Sequence, residues 1–413
     1  MSTIEKHDMT QGKILLPLVS FTIPLVLGNL FQLTYNAADS VIVGKYVGEQ
    51  ALAAVGTSTP IMNIAILLIS GMCMGASVLM SSQYGAKDYD TLSRQISTTM
   101  LAGCGFSVVF SLLMLLLANP VLRLIRVPET AIPEAAAYLR IIFMGLIFTF
   151  MYNFLANTMR ALGDSKTPLY FLVTSAFLNI FGDLFFVVVL RWGVAGSAIA
   201  TVCSEGLCCL LCGIYIKKKI PLLCLGKKWW VFDKSLLGKT VSYGSTSAMQ
   251  QVCLQLGKLI IQSVVNTQGV AVMAAFTAVN RVDDFAYTPQ QNIGHAMTTF
   301  LAQNKGAGHK ERMKKGFQTG LLIELVYSIG LFAVIWGLAW QIMTLFAEDG
   351  DAQVVSLGIS YLHLISWMYI LPGMTNGIQG FFRGIGDLKV TLYSTFMNML
   401  GRVVAVFVML RLL

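Results

Sequence analysis

The sequence predicts an all-α membrane protein made of two parallel repeats of six helices each. Three observations predict this fold class: the apolar composition, the length of the apolar runs and an internal repeat. Of the 413 residues, 56% are hydrophobic and 12% are charged, whereas a soluble domain averages about 25% charged residues. A water-soluble fold of this size could not cover its surface with so few charges. The apolar runs are also too long for the roughly 9–11-residue strands of a membrane barrel.

The first element of the prediction is a set of eleven apolar segments. Each reaches the roughly 20 residues that cross about 30 Å of hydrocarbon. Because a lipid-exposed backbone must satisfy its own hydrogen bonds, each segment is predicted to be a helix. The segments are 14–43, 51–82, 96–118, 135–157, 168–190, 194–216, 241–265, 270–303, 317–345, 354–380 and 388–411.

The positive charges predict the orientation of these helices. With the N-terminus inside, the inner segments carry twenty Lys and Arg residues and the outer loops carry four. This asymmetry predicts a multi-pass protein of the cytoplasmic membrane with a cytoplasmic N-terminus, and a bacterial origin is expected. The net charge of +9 is explained by this topology. The lipid bilayer is therefore the expected surroundings, and nucleic acid is not an expected partner.

An internal repeat predicts the domain organisation. Arg-Ala-Leu-Gly-Asp at 160–164 matches Arg-Gly-Ile-Gly-Asp at 383–387, a shift of 223 residues. Six spans in the first half return the chain to the same side, so the two halves are expected to be parallel repeats. The predicted domains are an N-lobe over 1–216, an interfacial linker over 217–240 and a C-lobe over 241–413. The partner of span 194–216 would lie beyond Leu413, so a twelfth helix is expected to be missing from this chain. A natural eleven-span protein is the alternative.

Charged side chains within the first and fifth spans predict a cation site. Gln32, Asn36 and Asp39 share one helix face, and Pro24 precedes them as a kink or hinge. Asn179 and Asp183 share a face of the fifth span. By the predicted topology both carboxylates fall in the outer half of the membrane.

A hydroxyl of the sixth span, Thr201, completes this set of oxygen side chains. Oxygen ligands suit a hard cation such as Na⁺, and two neighbouring carboxylates suit a shared proton. The alternative is a buried polar cluster that only maintains packing. The second half lacks this pattern, because position 259 is Leu and the counterpart of Asp183 falls near Arg402.

Two further groups of polar residues are candidates for function. One group is a candidate lining of a substrate cavity, with an internal ion pair as the alternative: Glu205, Arg281, Asp283, Asp284, Tyr287 and Gln291. The other group lies in the repeated inner loops and is predicted to form glycine turns and charge pairs that close an inner gate: Arg160, Asp164, Arg383 and Asp387. No ATPase or hydrolase motif is present, so an ion gradient is the expected energy source. An enzyme is not expected, nor is any cofactor.

Several short motifs, in order along nearly the whole chain, resemble the multidrug and toxic compound extrusion (MATE) transporters, in particular their bacterial DinF-like branch. They are Pro24 with Asp39, Val-Gly at 47–48, Leu-Ala-Ala at 52–54, Gln-Tyr-Gly-Ala at 83–86, Arg-Ala-Leu-Gly-Asp at 160–164, Asn179 with Asp183, Gly-Val-Ala-Gly-Ser-Ala-Ile-Ala-Thr at 193–201 and Gln-Asn-Lys-Gly-Ala at 303–307.

The resemblance implies a V-shaped fold of two six-helix lobes that rocks between outward-open and inward-open states. It implies that Asp39, Asn179, Asp183 and Thr201 bind H⁺ or Na⁺, and that the helix carrying Pro24 bends on protonation. It also implies a monomer that exports small organic, often cationic, amphiphiles by antiport.

Two departures from the family pattern stand out. Leu184 replaces a frequent Pro, and the seventh span carries only Lys258 instead of the acidic residue of the NorM branch. A NorM-type cation site in the C-lobe is therefore not expected. The alternative function is a flippase of lipids or lipid-linked oligosaccharides from the same broad superfamily.

Overall fold

The computed structural model describes residues 8–125, 127–220, 230–346 and 352–412. Over these ranges the chain is almost entirely helical and contains no β-strand. The helices are α1 (Leu15–Tyr46), α2 (Glu49–Gly85), α3 (Tyr89–Leu124), α4 (Ile132–Met144), α5 (Leu146–Ala161), α6 (Lys166–Asp183), α7 (Gly193–Lys219), α8 (Lys234–Val265), α9 (Val270–Gly306), α10 (Lys310–Phe346), α11 (Ala352–Ser366), α12 (Ile370–Gly384) and α13 (Leu388–Leu412). A π-helix, Leu184–Val189, follows α6, and a 3₁₀ turn, Trp367–Tyr369, joins α11 to α12.

All eleven predicted segments fall within these helices, which confirms the all-helical membrane fold. Eight helices in the described ranges are long and apolar enough to cross a membrane, and the bent pair α4–α5 makes a ninth. The two remaining predicted spans are α8 and α9, which are long enough but more polar. In α9 the polarity comes from residues such as Arg281, Asp283 and Asp284.

Some predicted spans contain breaks that the hydropathy pattern does not show. The fourth bends by 47° between α4 and α5 at Gly145. A Cβ added at Gly145 would lie 2.4 Å from Cγ2 of Val202, so α7 approaches too closely for any side chain there. The fifth span changes from α-helix to π-helix directly after Asp183. Such π-helical turns are often found at functional sites.

The chain forms two compact units. Unit 1 contains Leu27–Ala248, and unit 2 contains Met9–Val26 with Met249–Leu413. Helices α1 and α8 therefore each contribute one part to each unit. The predicted linker 217–240 includes the end of α7 and the start of α8, and its residues 221–229 lie outside the described ranges. The predicted lobe boundaries remain a prediction.

Small residues allow the helices of each unit to approach closely. In unit 1, a Cβ at Gly75 of α2 would lie 2.4 Å from the carbonyl oxygen of Tyr243 in α8, and Gly71 similarly faces Ala248. In unit 2, a Cβ at Gly380 of α12 would lie 2.6 Å from the carbonyl oxygen of Gly294 in α9. Close backbone contact at Gly is typical of helix packing in membranes.

A short lead-in segment precedes α1 and is held by unit 2. In this first lead-in segment, residues 9–12, the N–H of Met9 donates to Oε1 of Gln303 at 3.1 Å. The guanidinium of Arg312 donates to the carbonyl oxygens of Met9, Gln11 and Gly12 at 2.7–3.3 Å. Met9 is buried. The segment is thus held by several hydrogen bonds to its own backbone.

A second lead-in segment, residues 230–233, precedes α8 and is held by unit 1. The N–H of Val231 donates to Ser97 at 3.0 Å, and the N–H of Asp233 donates to Thr98 at 3.1 Å. Backbone N–H groups of Leu236 and Ser235 donate to the Asp233 carboxylate at the start of α8 and hold its pKa below its usual range. Asp233 therefore stays charged at neutral pH and pairs with Arg94 at 2.7 Å.

Candidate cation site

Asp39 lies late in α1, on the part of this helix that belongs to unit 1. Its Oδ1 accepts a hydrogen bond from Oγ of Ser197 at 2.7 Å. Ser197 is buried in the first turns of α7. A hydroxyl that donates to a carboxylate stabilises the charged form, so α7 supplies the first polar partner of Asp39.

Asp183 is the last residue of α6 and is fully buried. Neither of its carboxylate oxygens has a hydrogen-bond donor in the described structure. The Asp39 carboxyl lies within hydrogen-bonding reach of Asp183, so a proton shared between the two would satisfy both groups. A buried carboxylate without a donor is costly unless a cation or a proton neutralises it.

Close packing of α6 on α7 positions these groups. A Cβ at Gly182 would lie 3.0 Å from Cβ of Ala200, and a Cβ at Gly196 would lie 3.1 Å from the backbone of Phe186 in the π-helix. Because both helices have glycine at the contact, Asp183 lies against the face of α7 that carries Ser197.

Asn179 and Thr201 lie one helical turn away from this carboxyl pair. Nδ2 of Asn179 donates to Oγ1 of Thr201 at 3.2 Å, while Oδ1 of Asn179 is buried without a partner. The predicted quartet Asp39, Asn179, Asp183 and Thr201 is therefore brought together within unit 1. The atoms left without partners are all oxygen acceptors, which is the donor set that H⁺ or Na⁺ requires. The role of the quartet remains a prediction.

The three supporting residues of α1 occupy different environments. Pro24 is buried, two residues before the chain passes from unit 2 to unit 1. Gln32 and Asn36 are exposed, and Gln32 hydrogen-bonds Tyr35 rather than the carboxyl pair.

Sequence reasoning missed Ser197, Tyr35 and Tyr138. Both tyrosines lie close enough to Asp39 to sense its charge, and Tyr138 also senses Asp183. The available signal for Ser197 was its position one helical turn before Thr201 on the same face of α7. For Tyr138 no local signal existed, because α4 is distant in sequence from both carboxylates.

Glu205 continues the same face of α7, one turn after Thr201. Its carboxylate accepts a hydrogen bond from Oγ1 of Thr149 in α5. Glu205 lies in unit 1, whereas the other five predicted cavity residues lie in unit 2. It is therefore best described with Ser197 and Thr201.

The unit 2 residues do not form the internal ion pair that was considered as the alternative. Asp284 pairs with Lys258 at 3.1 Å on an exposed surface, whereas Arg281 is exposed and takes part in no ion pair of the described chain. Arg281 lines a cavity of about 300 Å³ together with Gln262 and Thr277.

The remaining predicted cavity residues lie elsewhere on α9. Asp283 is a neighbour of Tyr369. Oη of Tyr287 donates to Oδ1 of Asn376 at 3.4 Å, and Gln291 is half-buried. The cavity beside Arg281 thus has one charged lining residue.

The repeated inner loops have matching backbone geometry. Gly163 and Gly386 have φ of 90° and 86°, a left-handed conformation that favours glycine. Oδ1 of Asp164 accepts from the N–H groups of Lys166 and Thr167 at 3.0 Å. Asp387 makes the same kind of cap to the N–H of Val390 at 3.5 Å. The glycine-turn prediction is therefore confirmed.

The predicted charge pairs of these loops are not found, because the aspartates cap helices instead. The ion pairs of the described chain include neither Arg160 nor Arg383. Nε of Arg160 is buried without a partner. The Arg383 guanidinium donates to the carbonyl oxygen of Gln379 at 3.4 Å and lies 3.5 Å from Nδ1 of His295.

Comparison with known proteins identifies the family of the chain. The MatE family model matches residues 24–185 and 247–408, two stretches separated by the same 223 residues as the internal repeat. The chain belongs to the MatE family. This confirms the family resemblance, while the assignment to the DinF-like branch remains a prediction.

Relatives of known sequence and structure cover most of the chain. It is 32% identical over 392 residues to "Probable multidrug resistance protein YpnP" of Bacillus subtilis, covering 94% of this chain and 86% of that protein. It is 23% identical over 404 residues to "Probable multidrug resistance protein NorM" of Thermotoga maritima, covering 95% and 85%.

Among solved structures, a MOP superfamily transporter from Pyrococcus furiosus has a TM-score of 0.89 at 23% identity, covering 97% of this MatE chain and 89% of that one. A structure described as the outward-facing conformation of a multidrug resistance MATE family transporter gives the same values. These similarities show that the fold is that of a MATE transporter.

Proposed function

We propose that this MatE protein is a secondary active exporter that moves amphiphilic organic compounds, often cationic, in exchange for H⁺ or Na⁺. The observation that carries the proposal is the Asp39–Asp183 pair in unit 1. Both oxygens of the fully buried Asp183 lack donors, and a second carboxyl lies beside it. The printed names of relatives, which describe multidrug resistance or export proteins, support the substrate class.

The chemistry of the pair explains why a cation would be coupled to transport. Two adjacent carboxylates repel each other, and bringing one of them into a buried site without a donor is unfavourable. Uptake of H⁺ or Na⁺ removes this cost, so cation-bound and cation-free protein favour different conformations. A ligand shifts such an equilibrium only through its differential affinity for the two states.

Helix α1 is the structural route by which this change would spread. Asp39 lies in the same continuous helix as Pro24. Pro24 has no N–H, so the helical hydrogen bond to the carbonyl of Ser20 is absent and bending is easier there. Neutralisation of Asp39 would therefore change the equilibrium geometry of α1.

The setting that we propose is the bacterial cytoplasmic membrane, with the N-terminus in the cytoplasm and the protein acting as a monomer. Its partners would be small organic molecules and the lipid bilayer, with no nucleic acid and no cofactor apart from the coupling ion. Apolar and aromatic side chains are abundant, with 21 Met and 24 Phe residues. Such side chains suit a cavity that accepts varied substrates.

The test is efflux of a cationic fluorescent dye from proteoliposomes under an imposed H⁺ or Na⁺ gradient. We expect dye movement only with a gradient, and the effective gradient identifies the coupling ion. Asp39→Asn should lower gradient-driven efflux by about a hundredfold, which corresponds to about 3 kcal/mol of lost cation affinity.

Glu129→Gln is the matched control, because this exposed carboxylate makes only a surface ion pair with Arg123 at 3.7 Å. Its efflux should equal that of the unmodified protein. Wild-type efflux by Asp39→Asn would contradict the proposal. Transport of fluorescent lipid without transport of dye would instead support the flippase alternative.

A further inference from the structure

Unit 2 contains a buried carboxyl that the proposed function does not use. Glu324 lies in the middle of α10 and has no exposed surface. Neither of its carboxylate oxygens has a hydrogen-bond partner, and it takes part in no ion pair of the described residues. A lone ionised carboxylate in such a place costs several kcal/mol. Some positive partner must therefore neutralise it.

The neighbours of Glu324 supply further acceptor atoms and no spare donor. Nε2 of Gln290 in α9 donates to Oγ of Ser328 at 3.0 Å and to the carbonyl oxygen of Tyr369 at 2.8 Å. Oγ of Ser328 donates to the carbonyl oxygen of Glu324 at 2.7 Å. Oε1 of Gln290 is buried and unpartnered. The atoms left unsatisfied are thus three oxygens, two from Glu324 and one from Gln290.

A glycine of α12 leaves space where these polar groups meet. A Cβ added at Gly373 would lie 2.8 Å from Oγ of Ser328, 3.0 Å from Nε2 of Gln290 and 3.4 Å from Oε2 of Glu324. Polar atoms from two other helices therefore converge beside one residue that has no side chain. Gly377, one turn further, faces Cγ of Glu324 at 3.7 Å.

The other titratable groups around Glu324 are tyrosines. Tyr327 of α10 senses the Glu324 charge, and its Oη donates to the carbonyl oxygen of Ala286 at 3.1 Å. Tyr369 contributes its carbonyl oxygen to Gln290, and its ring lies near Asp283 of α9. Helix α12 presents glycines here, and the α1 residues of unit 2 that pack nearby are apolar. Neither tyrosine supplies the missing positive charge.

We infer that Glu324, Gln290 and Ser328 form a second monovalent cation site, which binds H⁺ or Na⁺ within unit 2. Glu324 supplies the charge, Oε1 of Gln290 supplies a neutral oxygen ligand, and Ser328 holds the Gln290 amide in place. This inference concerns cation binding alone and stands whether or not the Asp39–Asp183 pair drives transport.

The test uses the full chain in detergent with both unit 1 aspartates replaced, Asp39→Asn with Asp183→Asn. Binding of radioactive sodium is measured by equilibrium dialysis, and protonation is followed by the carbonyl-stretch infrared band of a protonated carboxyl during a pH titration. We expect this background to retain either saturable Na⁺ binding or a titrating carboxyl. Adding Glu324→Gln should abolish it.

Glu311→Gln is the matched control, because it removes an exposed carboxylate at the start of the same helix. It should leave both signals unchanged. Equal signals with and without Glu324→Gln, or no Na⁺ binding and no titrating carboxyl in the background protein, would overturn the inference.

A second variant protects the test against misfolding of Glu324→Gln. Gly373→Ala keeps every polar group but places a methyl group among them. It should weaken cation binding by about tenfold or more, the effect expected for overpacking by one methyl group. Gly330→Ala, where the added Cβ meets no atom within 4 Å, is the control on α10. Unchanged binding by a folded Gly373→Ala protein would also contradict the site.

Discussion

The two units share their turns and the anchoring of their lead-in segments, but they differ in the placement of buried acids. Unit 1 places two carboxyls side by side, Asp39 and Asp183, and one of them has a hydroxyl donor. Unit 2 has Leu259 at the position that the repeat pairs with Asp39, and its fully buried acid, Glu324, lies in a different helix. The repeat thus preserves backbone geometry while the ionisable chemistry of each half is separate.

This difference teaches that backbone symmetry does not predict where a cation binds. The matching left-handed glycines, Gly163 and Gly386, are dictated by the turn itself, so both repeats need them. A carboxylate is dictated only by the chemistry that it performs. The predictions below test how completely the two halves differ.

The largest effect is expected from exchanging the acid and its repeat counterpart. Asp183→Asn should reduce gradient-driven dye efflux by about a hundredfold, because it removes a buried charge that a cation neutralises. Arg402→Gln, near the corresponding position of unit 2, should change efflux by less than about twofold, because an exposed charge is worth ~1 kcal/mol or less. Proteoliposome efflux of both variants checks this. Equal losses would show that the halves are functionally alike.

A smaller effect is expected from the hydroxyl that donates to Asp39. Ser197→Ala should weaken cation-coupled efflux by about tenfold, because a hydrogen bond to a charged group contributes about 1.5–3 kcal/mol. The control is Ser204→Ala on the same helix, whose hydroxyl bonds only to the backbone carbonyl of Thr201 at 2.9 Å. Initial rates over a series of ion concentrations measure the change. If both serine variants behave alike, Ser197 has no special role.

The smallest effect concerns the lead-in segments and is a change in stability. Arg312→Met should lower the free energy of unfolding by about 2 kcal/mol, since hydrogen bonds from a charged group to three carbonyls are lost. Arg94→Met should cost ~1 kcal/mol or less, because its ion pair with Asp233 is partly exposed. Thermal unfolding in detergent gives both values. The comparison fails if Arg94→Met is the more destabilised variant.

Much of the fold could be predicted from the sequence, because apolar length directly reflects membrane thickness. All eleven predicted segments are helical, from the first, within α1, to the last, within α13. The break at Gly145 could not be predicted, since it depends on the approach of Val202 from a helix distant in the sequence. The greater polarity of α8 and α9 was visible in the sequence but does not prevent helix formation.

The candidate site was predictable only along each helix. Spacing placed Asn179 with Asp183, and Gln32 with Asp39, on shared faces. Spacing does not give the rotation of one helix against another, so the donor Ser197 and the neighbour Tyr138 were missed. Glu324 was visible as an intramembrane charge, but its lack of partners depends on side chains from α9 and α12.

The division of α1 and α8 between the two units resembles an exchange of arms. Residues up to Val26 pack with the second repeat, and the remainder of α1 packs with the first; α8 does the reverse at Ala248. Oligomers that exchange an identical element between protomers are domain-swapped, and here the exchange takes place within one polypeptide. A gene cut at the middle of the chain would therefore separate each half from the helical arm that completes it. The covalent connection makes the duplication obligatory.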